Sequence, residues 1–105
     1  MTEVRFLKSG KTIIGFSVIG HSTNGCDDEQ GRLVCSAISS AAYMAANTIT
    51  EIVGEKAKIE VDDGKMILRV TSPSEKTVTV LEGFKLHIEQ LTKDYSNSIR
   101  IISEV

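Results

Sequence analysis

The sequence predicts a two-layer α+β domain: a mainly antiparallel sheet with two helices on one face, in the order β-β-α-β-β-α-β. Three observations predict it. Period-two alternation around short glycine turns marks two hairpins. Two longer stretches instead carry apolar residues at three- and four-residue spacing, the mark of helices with one buried face. The strands mostly show one polar face, so the helices need to cover only the other.

Taken in order, residues 1–8 alternate, with Val4 and Phe6 on one face and Glu3, Arg5 and Leu7 on the other. Ser9-Gly10-Lys11 is a turn. Residues 12–20 form a second strand with apolar side chains on both faces, Ile14, Phe16 and Val18 against Ile13, Ser17 and Ile19, which suits a central strand or one with a face in an interface. Residues 21–32 are polar and read as a loop, with Gly25 and Gly31 as natural hinges and with few apolar residues to hold it still. Residues 33–53 read as a helix buried along Val34, Ile38, Ala41, Ala45, Thr48 and Ile52, with Gly54 ending it. Residues 56–62 and 65–71 are the clearest hairpin, joined by Asp63-Gly64 as a two-residue turn with positive backbone angles. Ser72, Pro73 and Glu75 supply a cap, a first helical residue and a capping box. The helix that follows is buried along Val78, Leu81, Phe84, Ile88, Leu91 and Tyr95 and ends near residue 94. Residues 99–105 form the last strand.

With 105 residues and no linker-like stretch, residues 1–105 are expected to be a single domain. The composition is that of a globular protein, 41% hydrophobic and 25% charged. No membrane-spanning run or signal peptide is read, so a cytoplasmic location is the expectation. A net charge of -2 recruits no nucleic acid, and the absence of Trp removes one stacking platform for single strands. The two cysteines are too few for a disulfide framework.

The stretch that can carry chemistry starts at Gly20-His21 and ends at Leu33-Val34-Cys35-Ser36-Ala37-Ile38-Ser39. A histidine and a cysteine at the two ends of one loop can meet in space, as a thiol nucleophile and its base must. A helix start next to the cysteine would add the positive end of the macrodipole, which favours thiolates, and free amides at residues 33–36 for an oxyanion. Ser39 lies one turn beyond Cys35 on the same face, either steadying a site or bonding back to its own helix. Asp27, Asp28 and Glu29 are imidazole-orienting acids, solvated charges or contacts for a basic substrate. His21, Cys26 and Cys35 with an aspartate form a weak zinc pattern, because no CxxC or HxxxH spacing is present. His87 reads as a boundary residue with no role.

These residues resemble the signature of the ribosomal-processing cysteine protease family, Prp: a Gly-His, a glycine-bearing loop, and an aliphatic-aliphatic-Cys-small-small-x-Ser segment. The element order and length are similar over nearly the whole chain. The resemblance implies His21 and Cys35 as the catalytic pair, with Ser39, Gly25 and Gly31 as supporting or substrate-binding positions. It implies no cofactor and no metal, a homodimer, and a peptide substrate that is the N-terminal extension of a large-subunit ribosomal protein. The chain departs from the family at Arg32, three positions before the cysteine, where an acid is usual, and its loop is slightly longer. A non-catalytic ribosome-associated or assembly protein of the same fold is the alternative.

Overall fold

The structure is a computed structural model that describes residues 1–20 and 29–103. Strands β1 (Thr2–Ser9) and β2 (Thr12–Gly20) form the first hairpin. Helix α1 (Glu29–Asn47) continues into a π-helical turn (Thr48–Val53). Strands β3 (Lys58–Asp62) and β4 (Lys65–Arg69) form the second hairpin, and α2 (Glu75–Asp94) leads to β5 (Ile99–Ser103). The predicted order holds among the described residues; the last two residues of the expected final strand lie outside them.

The sheet order is β3-β4-β2-β1-β5. Every pairing is antiparallel except β1 with β5, which is parallel. Strand β2 sits between β4 and β1, the central place that its two-sided apolar pattern allows. Val4 opposes Val18 and Phe6 opposes Phe16, so these four share one face. Both helices pack on that face: Val34, Ile38, Ala42 and Ala45 from α1, and Leu81, Phe84 and Ile88 from α2, join the same buried cluster. Phe84 stands edge-on to Phe6 with ring centroids 5.9 Å apart and lies against Phe16 at 4.5 Å, which pins α2 to the sheet.

Four local expectations are corrected. Helix α1 starts at Glu29, not at residue 33, so Glu29 to Arg32 are helical and not loop. The acid Glu29 in the first turn suits the helix macrodipole, and Gly31 is buried within the helix and is no hinge. At the other end of this helix, Thr48 and Thr50 donate their hydroxyls to the carbonyls of Met44 and Ala46, and the chain widens into the π turn. The wider turn rotates the last residues, so Ile49 is buried while Ile52, expected inside, is 79% exposed. Gly54 does end this helix, at φ 80°. In the second hairpin only Gly64 is left-handed, at φ 72°, while Asp63, whose N–H donates to the Asp62 carboxylate, is not.

The fourth correction concerns the α2 cap. Ser74, not Ser72, is the cap, and its hydroxyl accepts from the Thr77 N–H. The acid of the cap is Glu55, not Glu75. Its carboxylate accepts from the Ser74 N–H at 3.0 Å, from the Ser74 hydroxyl at 3.0 Å and from the Thr77 hydroxyl. The Glu55 carboxyl is thereby held below the ordinary carboxylate range, first by the Thr77 hydroxyl and then by the Ser74 N–H, with partial burial opposing and the Ser74 hydroxyl adding. A carboxyl lowered in the folded state stabilises fully above its unfolded value, and the contribution is lost as pH falls through the folded value. Glu55→Gln is therefore expected to lower Tm near neutral pH. The gap to wild type should shrink as pH falls below about 4.3; a gap that stays constant down to acid denaturation contradicts the assignment.

The helix and its π turn, Glu29–Val53, are long and apolar enough to cross a membrane by length and composition alone, which the sequence reading had not recognised. Residues 33–50 carry no charge. In this fold, Val34, Ile38, Ala42, Ala45, Ala46 and Ile49 of that segment are core residues of the domain.

Candidate active site

Strand β2 ends at Gly20, on the core-facing side of the sheet that it shares with Val18. Its N–H donates to the Gly64 carbonyl at 2.8 Å, which ties the strand end to the turn of the second hairpin. Helix α1 crosses above it and presents Cys35. A side chain at Gly20 would place its Cβ 2.8 Å from the Cys35 sulfur, closer than real contacts allow. The sulfur therefore occupies the space that the glycine leaves empty. The Gly-Cys pairing fixes where the thiol sits relative to the sheet, and His21 is the next residue in the chain after Gly20.

The thiol opens into a cleft of about 120 Å³ between α1 and the second hairpin. One wall is helical: Cys35, Ser39, Ala42 and Tyr43, spaced by helical turns along one face. The floor is Val18, Gly20 and Met66, and the far wall is Val61, Asp62, Gly64 and Lys65. Cys35 is a free, half-buried thiol. Val61 is 55% and Tyr43 46% exposed, so the cleft is apolar at its rim, with Asp62 and Lys65 as its charges. Strand β3, at the sheet edge, is exposed along its whole length, and Lys58, Glu60 and Asp62 guard its outer side with charge.

The structure thus brings Cys35 and Ser39 together, as their spacing predicted. Gly31 is set apart from the cleft, inside α1. His21, Gly25, Cys26, Asp27 and Asp28 lie outside the described residues. His87 is exposed on α2, away from the cleft. The oxyanion expectation for the amides of residues 33–36 is corrected. With the helix beginning at Glu29, Cys35 lies in its second turn, where amides bond to carbonyls four residues earlier.

Sequence reasoning missed the far wall. Tyr43 was within reach, because it continues the helical face of Cys35 and Ser39 by one more turn. Val61, Gly64 and Met66 were not, because local periodicity says which face a strand buries but not which strand ends meet.

The fold has solved counterparts. An S. aureus ribosomal processing protease Prp in complex with a substrate peptide superposes with TM-score 0.88 at 18% identity, covering 99% of this chain and all of that one. The same S. aureus protease with a covalently linked product peptide gives 0.83 at 19% identity, with 99% and 100% covered. A Streptococcus mutans protein gives 0.84 at 19% identity, with 99% and 96% covered. These likenesses establish the fold. No curated protein sequence matches the chain. The sequence pattern of one family, described as cysteine protease Prp, matches residues 1–100. That span takes in both walls of the cleft, the cysteine and the Gly20 beneath it, and the chain belongs to this family of cysteine proteases.

Proposed function

We propose that Cys35 is the nucleophile and His21 the base of an endopeptidase that removes the N-terminal extension of a large-subunit ribosomal protein. The observation that carries the site is the Cys35 sulfur, seated in the space of the missing Gly20 side chain at the mouth of a cleft. Support for the substrate is the S. aureus neighbour, a ribosomal processing protease with a substrate peptide.

In the proposed reaction His21 takes the thiol proton and the Cys35 thiolate attacks the scissile carbonyl carbon. As the C–N bond breaks, His21 gives that proton to the departing amine, leaving the acyl group on sulfur as a thioester. Water, deprotonated by His21, then attacks the thioester carbonyl, and the acid product and the Cys35 thiol are released. The Ser39 hydroxyl, in the cleft one turn from the sulfur, is the side-chain donor offered to the bound peptide. No cofactor takes part in this scheme.

The test is cleavage of a synthetic peptide spanning the extension junction of the ribosomal protein from the same organism, read by mass spectrometry. One cut at the junction that depends on Cys35 supports the proposal. An uncut junction peptide together with cleavage of unrelated peptides would separate the substrate from the chemistry.

A reducing, cytoplasmic location and a homodimer belong to the same proposal. The first keeps the Cys35 thiol free. The second is motivated by the exposed side of α1 beyond Arg32, where residues 33–50 carry no charge and Leu33 and Met44 are 65% and 63% exposed. Light scattering at micromolar concentration is expected to give the mass of two chains; the mass of one chain contradicts the dimer.

A further inference from the structure

Strand β3 lies at the sheet edge, and its ladder leaves one row of backbone groups unused. The bonds that flank β4, from the Gly20 N–H to the Gly64 carbonyl and from the Val70 N–H to the Ile14 carbonyl, turn the even-numbered residues of β4 toward β2. The odd-numbered ones, Lys65, Ile67 and Arg69, therefore bond to Asp62, Glu60 and Lys58 of β3. The N–H and C=O groups of Ile59 and Val61 are left on the open side, where no described strand pairs with them. Their side chains oppose Leu68 and Met66, on the face that the helices cover elsewhere, yet Ile59 is 39% and Val61 55% exposed. The charges of Lys58, Glu60 and Asp62 stand on the other face. A hollow runs along this edge, lined by Ile59, Glu60, Val61, Asp62 and Lys65. It shares Val61, Asp62 and Lys65 with the cleft of the Cys35 thiol, so the edge and the cleft adjoin.

We propose that β3 binds the substrate peptide as an added strand: a segment remote from the scissile bond pairs with the N–H and C=O groups of Ile59 and Val61. The occupant is an extended peptide because the unused groups are backbone donors and acceptors at strand spacing, and because they adjoin the cleft in which a peptide is cut in the proposed reaction. Main-chain bonds hold the segment, and its alternate side chains lie beside the exposed Ile59 and Val61. The topology also sets the spacing. Cys35 lies over Gly20 of β2, and β4, β3 and the added strand follow at roughly 4.8 Å each, about 14 Å in all. At about 3.3 Å per residue, the paired segment starts about four residues from the scissile bond. The inference rests on the reading of Cys35 as the nucleophile of a peptidase.

The experiment uses the full chain and a peptide that the wild type cuts, with about eight residues on each side of the cut, long enough to reach β3. Ile59→Pro removes one outward N–H and leaves the β3–β4 ladder intact, since proline is tolerated where an edge strand turns its N–H to solvent. It is expected to raise KM about tenfold, the loss of one hydrogen bond, with kcat unchanged and Tm within a few degrees of wild type. The same loss is expected from the peptide's side. Backbone N-methylation should raise KM at every second position of one segment that begins about four residues from the cut, because an edge strand takes up alternate N–H groups. That readout uses wild-type protein and is independent of how the variant folds. A folded Ile59→Pro with wild-type KM, or N-methylation without an alternating effect in any such segment, overturns the inference. So does an Ile59→Pro protein whose mass by light scattering falls to one chain from two while KM stays put, which would give the edge to a second copy. If Cys35→Ala still cleaves, the nucleophile reading itself falls; if cleavage needs Cys35 and KM is unmoved, only the role of β3 falls.

Discussion

Cys35→Ala is expected to abolish peptide cleavage while changing stability by no more than about 1 kcal/mol. Alanine is the best helix former, and the position lies within α1, so the helix loses nothing by the change. The sulfur is half-buried beside a cleft, not enclosed in the core, so its removal leaves no sealed cavity. Among the described residues that line the cleft, Cys35 alone carries a thiol. His21→Ala removes the proposed base and is expected to lower kcat about 10²–10⁴-fold. The double variant should be little worse than Cys35→Ala, since residues acting as one unit are not additive. Full additivity on residual activity would show that the two act in separate steps.

Gly20→Ala is the second change with a large expected effect, and its logic differs. The added methyl would meet the Cys35 sulfur at 2.8 Å. The sulfur is the far end of a short side chain with one rotatable bond, so it turns away more readily than strand or helix shifts. A displacement of about 1 Å at a reacting atom costs about 10²-fold in rate. The expectation is therefore a fall of about that size in kcat with Tm within a few degrees of wild type. Wild-type kcat in Gly20→Ala would mean that the sulfur need not lie over the strand end to react.

Much of this geometry was legible in the sequence, and the parts that were not share a cause. Alternation in residues 1–20 and 56–70 fixed which side chains face the helices, because strand side chains alternate whatever the partner. The Cys35–Ser39 relation was legible for the same reason on a helix. The start of α1 was misjudged because Gly31 and Arg32, after a run of acids, look like loop, while burial of Gly31 inside the helix is a tertiary effect. The α2 cap was misplaced because its acid, Glu55, comes from before the second hairpin, where no local capping pattern can show it. The parallel β1–β5 pair and the bond from Gly20 to Gly64 likewise join residues far apart in sequence. Local periodicity encodes faces; which edges and ends meet is settled by packing.

The central claim is that Cys35 attacks the peptide, and its most direct test is to find the acyl group on it. Wild-type protein turning over the junction peptide is quenched in acid within the first turnover, digested, and mapped by mass spectrometry. The account predicts the acyl mass on the segment containing Cys35, as a thioester that hydroxylamine removes, and no such mass in Cys35→Ala. Cleavage that proceeds in Cys35→Ala, or an acyl group mapped to Cys26 instead, would contradict it.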